Sequence, residues 1–289
     1  MFQKEWLVLL VDDEPDVLSV SKLAMKNFTV YGLPIKIFTA ASKAEALELL
    51  KTTFARQRPG TPVLAVALID VVMETDQAGL ELCQYIREEM QNRVTQLYVR
   101  TGQPGVAPER AVIDRYDING YFTKVEATED KLYSLVKSGV RQFYSLNFSE
   151  AVSQVTEAFI AASASRTRMT AIVNQIIGGI RVHPDGTPLE SLELRVCIWV
   201  DGQLISCFGE AAAALARRDS LDKMTGVPVG AEGDKYVVER NDLLYKIAAG
   251  PATSEMHYLA LGQMPPPDFI IRKYHGLLRS YAALWKRAQ

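Results

Sequence analysis

The stretch "ALIDVVMETDQAG", residues 67–79, decides the fold. Residues Ala65 to Ile69 run without a polar break and deliver the chain directly to a carboxylate, Asp70. An apolar run of this length, bounded by a polar turn, reads as a buried strand. The segment that follows, Ala78–Met90, has helical periodicity. The pair therefore reads as a strand that hands a charge to a loop before a helix.

The same alternation extends in both directions. Leu7–Val11 reads as a strand and Asp16–Phe28 as a helix with Pro15 suited to its first turn. Ile35–Ala40 is a strand, and Ser42 with Glu45 three residues on forms a capping box for the next helix. After Val63–Ile69 and Ala78–Met90 come Val94–Arg100, Val106–Arg115, Gly120–Phe122 and Thr128–Phe143, alternating strand and helix. The predicted fold class is α/β, a (βα)5 doubly wound parallel sheet. Such sheets bind ligands beyond the carboxyl ends of their strands.

Those ends carry a distinctive set of residues. Strand one ends in Asp12-Asp13, strand three in Asp70, strand four in Thr101-Gly102, and strand five runs into Lys124. Clustered carboxylates repel one another and lose hydration unless a cation joins them. A site made only of oxygen donors suits Mg2+.

Four strings carry a resemblance: "VLLVDDEPDVL", "LIDVVMETDQAGLEL", "RTG" and "GYFTK". In their order and strand-end positions they resemble the receiver (CheY-like) domain of two-component response regulators, over about residues 4–144. The fuller string "RTGQPGVAPERAVIDRYDINGYFTK" resembles a subgroup whose receiver precedes a domain of unknown function. The resemblance implies that Asp70 is the phosphoacceptor, phosphorylated by a sensor histidine kinase or phosphotransfer protein. It implies that Asp13, Asp70 and the backbone carbonyl of Val72 ligate Mg2+, with Asp12 beside them. Lys124, Thr101 and Tyr121 become the phosphoryl-binding and switch residues. Two positions depart from the family: Val125 stands after the lysine and Glu74 four after Asp70, where proline is usual.

The chain has 289 residues, which suggests two domains. Residues 1–144 carry 17 basic and 19 acidic side chains, and residues 145–289 carry 15 of each. Neither half has the basic excess of a DNA-binding domain. No apolar run approaches the span of a bilayer, and the acidic residues after the first apolar stretch exclude a signal peptide. Cytoplasmic localisation without membrane insertion is expected. Cys83, Cys197 and Cys207 form no CxxC pair, so neither a zinc site nor a disulfide framework is expected.

In the second half, Phe148, Val152, Val155, Phe159, Ala162, Arg166, Met169, Val173, Ile176 and Ile180 recur at heptad spacing. The stripe reads as a connecting or dimerisation helix over 145–180, with Val152, Val155, Phe159, Met169, Val173 and Ile176 as contacts in a homodimer. It reads equally as one or two helices packed on their own domain, with Arg166 in the seam as a register device or a break between two helices. Asp201-Gly202 is a two-residue hairpin turn. Simple pairing about it sets Cys197 and Cys207 on opposite faces, against a disulfide. Mixed strands and a closing helix, 181–289, suggest an α+β GAF/PAS-like domain with long flanking helices. His257 reads as a packing residue, and His183 and His275 lack a ligand pattern.

No GGDEF string, His-Asp metal pair or basic helix-turn-helix is found. The expected function is therefore a phosphorylation-controlled regulator with a non-enzymatic C-terminal domain that binds a downstream protein. The alternative is a ligand-sensing regulator whose second domain binds a small molecule or nucleotide and tunes the receiver.

Overall fold

The computed structural model describes residues 5–54, 64–102, 109–179, 195–208, 211–221, 223, 225–230, 233–239, 242–248, 255–261 and 267–288. The chain divides into two compact units, residues 3–148 and 149–289.

The first unit holds a six-stranded sheet. Its strands are β1 (Trp6–Val11), β2 (Thr29–Val30), β3 (Leu33–Ala40), β4 (Leu64–Asp70), β5 (Gln96–Thr101) and β6 (Gly120–Thr123). The order is β2-β3-β1-β4-β5-β6, and every pair except β2–β3 is parallel. Without β2, that is the doubly wound order with a switch point between β1 and β4. Strand β2 is an addition to the predicted set. Tyr31 and Gly32 both have positive φ, 51° and 77°, and make the tight turn that folds β2 back on β3.

Alternation along buried strands builds two cores. Leu9, Val11, Ala67 and Ile69 pack with α2 (Lys43–Thr52), α3 (Ala78–Gln84) and α4 (Glu109–Tyr116). Val8, Leu10, Val66 and Leu68 point to the other face, towards α1 (Pro15–Met25) and the first turns of α5 (Glu129–Ala162). Strand β4 is buried at all seven positions, as its unbroken apolar run requires. The helix predicted from Val106 is described from Glu109 to Tyr116, and residues 103–108, with Pro104 and Pro108, lie outside the described residues.

The second unit contains α6 (Arg166–Gly179), α7 (Ala211–Leu221), α8 (Asp268–Arg287) and a wholly antiparallel sheet. Its strands are β7 (Arg195–Val200), β8 (Gln203–Phe208), β9 (Val227–Pro228), β10 (Lys235–Glu239), β11 (Asp242–Ala248) and β12 (Glu255–Leu261), ordered β8-β7-β12-β11-β10-β9.

Two local expectations are corrected. The apolar stripe is not one helix: α5 ends at Ala162 and α6 begins at Arg166. Within the single chain Phe159, Met169 and Val173 are buried, and Phe159 packs on Tyr281 with ring centroids 4.7 Å apart. Val152 and Val155 are half-buried, and the side chain of Ile176 lies outside the described residues. The second correction is in the hairpin. Val200 faces Gln203 across Asp201-Gly202 as expected, but the register shifts between Ile198 and Trp199. One extra residue, Ile205, is absorbed on β8 as a β-bulge, which returns Cys207 to the face and position opposite Cys197. The two form a disulfide, with Cα atoms 4.1 Å apart. Cys83 is free and buried.

Candidate functional site

Parallel pairing brings the carboxyl ends of β1, β4, β5 and β6 to one edge, and the polar residues there converge. Asp12 and Asp70 are almost wholly buried, while Asp13 and Glu14 are exposed. Carboxylate oxygens of these four residues lie within 4.8 Å of one another. Lys124 enters from a short 3-10 turn (Lys124–Glu126) after β6. Its Nζ donates to Glu14 Oε1 at 2.6 Å and to Asp12 Oδ1 at 3.2 Å, and pairs as an ion with Asp70 Oδ2 at 2.7 Å and Asp12 Oδ2 at 3.1 Å.

Electrostatics follow from burial and these contacts. Burial pushes the Asp70 carboxyl above its ordinary value, with the Asp12 charge adding to the rise and Lys124 opposing it. Burial pulls Lys124 down, but its hydrogen bonds to Asp70, Glu14 and Asp12 outweigh that and hold the ammonium firmly charged. Glu14 is held below the usual carboxylate range by the Lys124 hydrogen bond.

The residues fit Mg2+. Asp70 Oδ1 is buried and makes no hydrogen bond, whereas its sister oxygen is occupied by Lys124. A free anionic oxygen beside exposed Asp13 and Glu14 is what a hard, partly hydrated cation takes. Asp12 is differently placed: Oδ1 accepts from the Glu14 amide at 2.9 Å and Oδ2 pairs with Arg100 at 2.9 Å. Val72 is half-buried, two residues beyond Asp70.

The remaining predicted residues sit close by in the fold. Thr101 ends β5, is buried, and stands in register with Thr123, the residue before Lys124. Tyr121 is half-buried and packs on the core that includes Val112 and Tyr116 of α4. The two proline departures have local substitutes. Glu126 accepts from both the amide and the hydroxyl of Thr123 at 2.7 Å, which fixes the turn bearing Lys124 and leaves Val125 92% exposed. Glu74 Oε1 accepts from the Lys43 amide at 2.9 Å and ties the loop after Asp70 to the start of α2.

Sequence reasoning missed three residues. Glu14 was visible only as part of an acidic run. Arg100 looked like an ordinary strand residue, yet it is fully buried against Asp12. Gly79 lies against the Asp70 backbone. Its place in the quoted string was the available signal.

Among known proteins, the chain is 38% identical over 190 residues to 3'3'-cGAMP-specific phosphodiesterase 2 of Vibrio cholerae. The match takes in 63% of this chain, more residues than either unit holds, so it includes parts of both. The chain spans about a third of that relative's length, 34%. No family model matches. Among solved structures, a CheY-like response regulator receiver domain protein from Methanospirillum hungatei JF-1 is 17% identical, covering 49% of this chain and 98% of its own, with a TM-score of 0.39. The signal receiver domain of an HD domain-containing protein from Pseudomonas fluorescens Pf-5 is 18% identical over 49% and 98%, also at 0.39. The fold of the first unit rests instead on its own sheet order and strand-end residues.

The phosphodiesterase match corrects the expectations for the second half. The GAF- or PAS-like domain was read from element order, which says little about function, and its non-enzymatic, protein-binding role from the lack of GGDEF, His-Asp and helix-turn-helix strings. The similarity runs to a phosphodiesterase. Among the described residues, no helix is long and apolar enough to cross a membrane.

Proposed function

We propose that this chain works in cyclic-dinucleotide hydrolysis, with phosphorylation of Asp70 as its control input. The Asp70 oxygen left without a hydrogen bond, beside a bound lysine and a metal-suited acidic cluster, carries the input half of the reading. The similarity to a 3'3'-cGAMP-specific phosphodiesterase carries the output half.

In this reading a sensor histidine kinase or phosphotransfer protein supplies the phosphoryl group. An Asp70 oxygen attacks phosphorus, the bond from phosphorus to the donor histidine breaks, and the electron pair stays on the imidazole. Mg2+, when bound by Asp13, Asp70 and the Val72 carbonyl, neutralises charge on the phosphoryl oxygens. Lys124 moves from the bare carboxylate to the phosphoryl group, as a flexible point charge can. Thr101, one residue from Arg100 and in register with Thr123, offers its hydroxyl to the phosphoryl oxygen, and Tyr121 responds on the α4 side.

Two measurements test this. Intact mass after incubation with Mg2+ and a small phosphodonor shows one added phosphate in wild type and none in Asp70→Asn. Chromatography then follows 3'3'-cGAMP with the bare and the phosphorylated chain, and turnover differs between the two. No phosphate on wild type overturns the input half, and no binding or turnover in either state overturns the output half. The same match also supports nucleotide sensing, in which the second unit binds the cyclic dinucleotide and tunes the receiver. Calorimetric binding without turnover identifies that case.

A further inference from the structure

Arg100 is a complete cation inside the acidic site. It is fully buried, in register with Asp70 on one side and Phe122 on the other. Its Nη2 stands 2.9 Å from Asp12 Oδ2, and its Nη1 donates to Ser21 Oγ on α1 at 3.0 Å. Its Nε and Nη2 make no directed hydrogen bond, so the Asp12 contact is one of charge rather than of geometry. With Arg100 and Lys124 present, four carboxylates face two cations. The formal excess is two negative charges, which one divalent ion balances.

Burying a guanidinium is expensive unless a partner charge is fixed beside it, and here Ser21 holds Nη1 while Nη2 faces the Asp12 carboxylate. Asp12 is correspondingly engaged at both oxygens, by the Glu14 amide, by Lys124 and by Arg100. Asp12 Oδ2, like Asp70 Oδ1, makes no hydrogen bond, but two cations face it, Arg100 at 2.9 Å and Lys124 at 3.1 Å.

Building on the phosphoacceptor reading above, we propose that Arg100 is a positioning residue that holds Asp12 out of direct metal contact and, through its own charge, keeps the bare site's affinity for Mg2+ low. Asp12 then meets the ion through water, and direct ligation falls to Asp13 and Asp70. A low resting affinity makes occupancy respond to the charge the phosphoryl group brings.

Calorimetric titration of the full chain with Mg2+ tests the idea. Removing the charge in Arg100→Met tightens Mg2+ binding about tenfold, the scale of one unit charge several ångströms from a divalent ion. Arg100→Lys, which keeps the charge, stays within about twofold of wild type. Asp12→Asn weakens binding about tenfold, and Asp12→Asn/Arg100→Met returns it towards wild type. A folded Arg100→Met that binds Mg2+ no tighter than wild type overturns the proposal. If that variant does not fold, a double variant binding no tighter than Asp12→Asn overturns it instead. Phosphorylation of wild-type Asp70 in the same preparation separates failure of this proposal from failure of the receiver reading.

Discussion

The α-carbon of Gly79 is packed so closely on the Asp70 backbone that a β-carbon there would stand 1.8 Å from the Asp70 carbonyl oxygen. The Gly79 amide also donates to the Val71 carbonyl at 3.1 Å. The helix that follows the loop after Asp70 is therefore seated directly on the strand that presents Asp70. Gly79→Ala must push α3 away from β4, and overpacking of a rigid backbone contact costs up to about 3 kcal/mol or more. Urea denaturation is expected to show that loss, together with reduced phosphate uptake at Asp70.

Asp70 itself is held ionised against its burial. Its folded pKa lies above the ordinary 3.8, so the unfolded chain releases that proton more readily. Stability consequently falls as pH rises from 3.8 through the folded value. Asp70→Asn is expected to melt higher than wild type in Mg2+-free buffer near neutrality, and the advantage disappears in acid. Mg2+ at a hundredfold its dissociation constant stabilises wild type by about 2.7 kcal/mol and leaves Asp70→Asn almost unmoved.

Lys124 acts in the opposite pH range. Its folded pKa is raised above 10.5, so its contribution is complete below 10.5 and is lost as pH rises through the folded value. Lys124→Met leaves Asp70 and Asp12 short of a counter-charge, which for buried pairs costs about 3–5 kcal/mol. The stability gap between wild type and variant stays constant from about pH 6 to about pH 10 and closes above it.

Much of this site is visible in the primary structure because its residues break a pattern. Asp12, Asp70, Thr101 and Lys124 are polar where apolar strands end, and parallel pairing alone carries them to one edge. Arg100 breaks no such pattern. A charged residue one place before a strand end normally reaches solvent, and only the position of Asp12 and Ser21 on neighbouring elements reveals that it turns inward. The β2–β3 hairpin was signalled by Tyr31-Gly32 but is too short to show strand periodicity. Heptad spacing continues across Ser163–Ser165 although the helix does not, because spacing records which side a residue faces and not whether the backbone is continuous. Output chemistry was least legible: an order of strands and helices fits many functions, and the relative that redirects it is recognised by residue identity.

The sulfur chemistry of the second unit gives a further prediction. Intact mass of protein prepared without reductant shows two hydrogens fewer than the reduced chain, and the difference vanishes in Cys197→Ser or Cys207→Ser but persists in Cys83→Ala. Cys197 is fully buried, so reduction by a bulky phosphine proceeds more slowly than by a small thiol.

That cross-link depends on strand length rather than on either cysteine's immediate neighbours. Ile205 is the extra residue that lets ten positions of chain close on matching faces. Deleting it would leave both thiols in place along the sequence and turn them away from each other. A one-residue change in a loop-proximal strand would thus decide whether this sheet can store an oxidising equivalent at all.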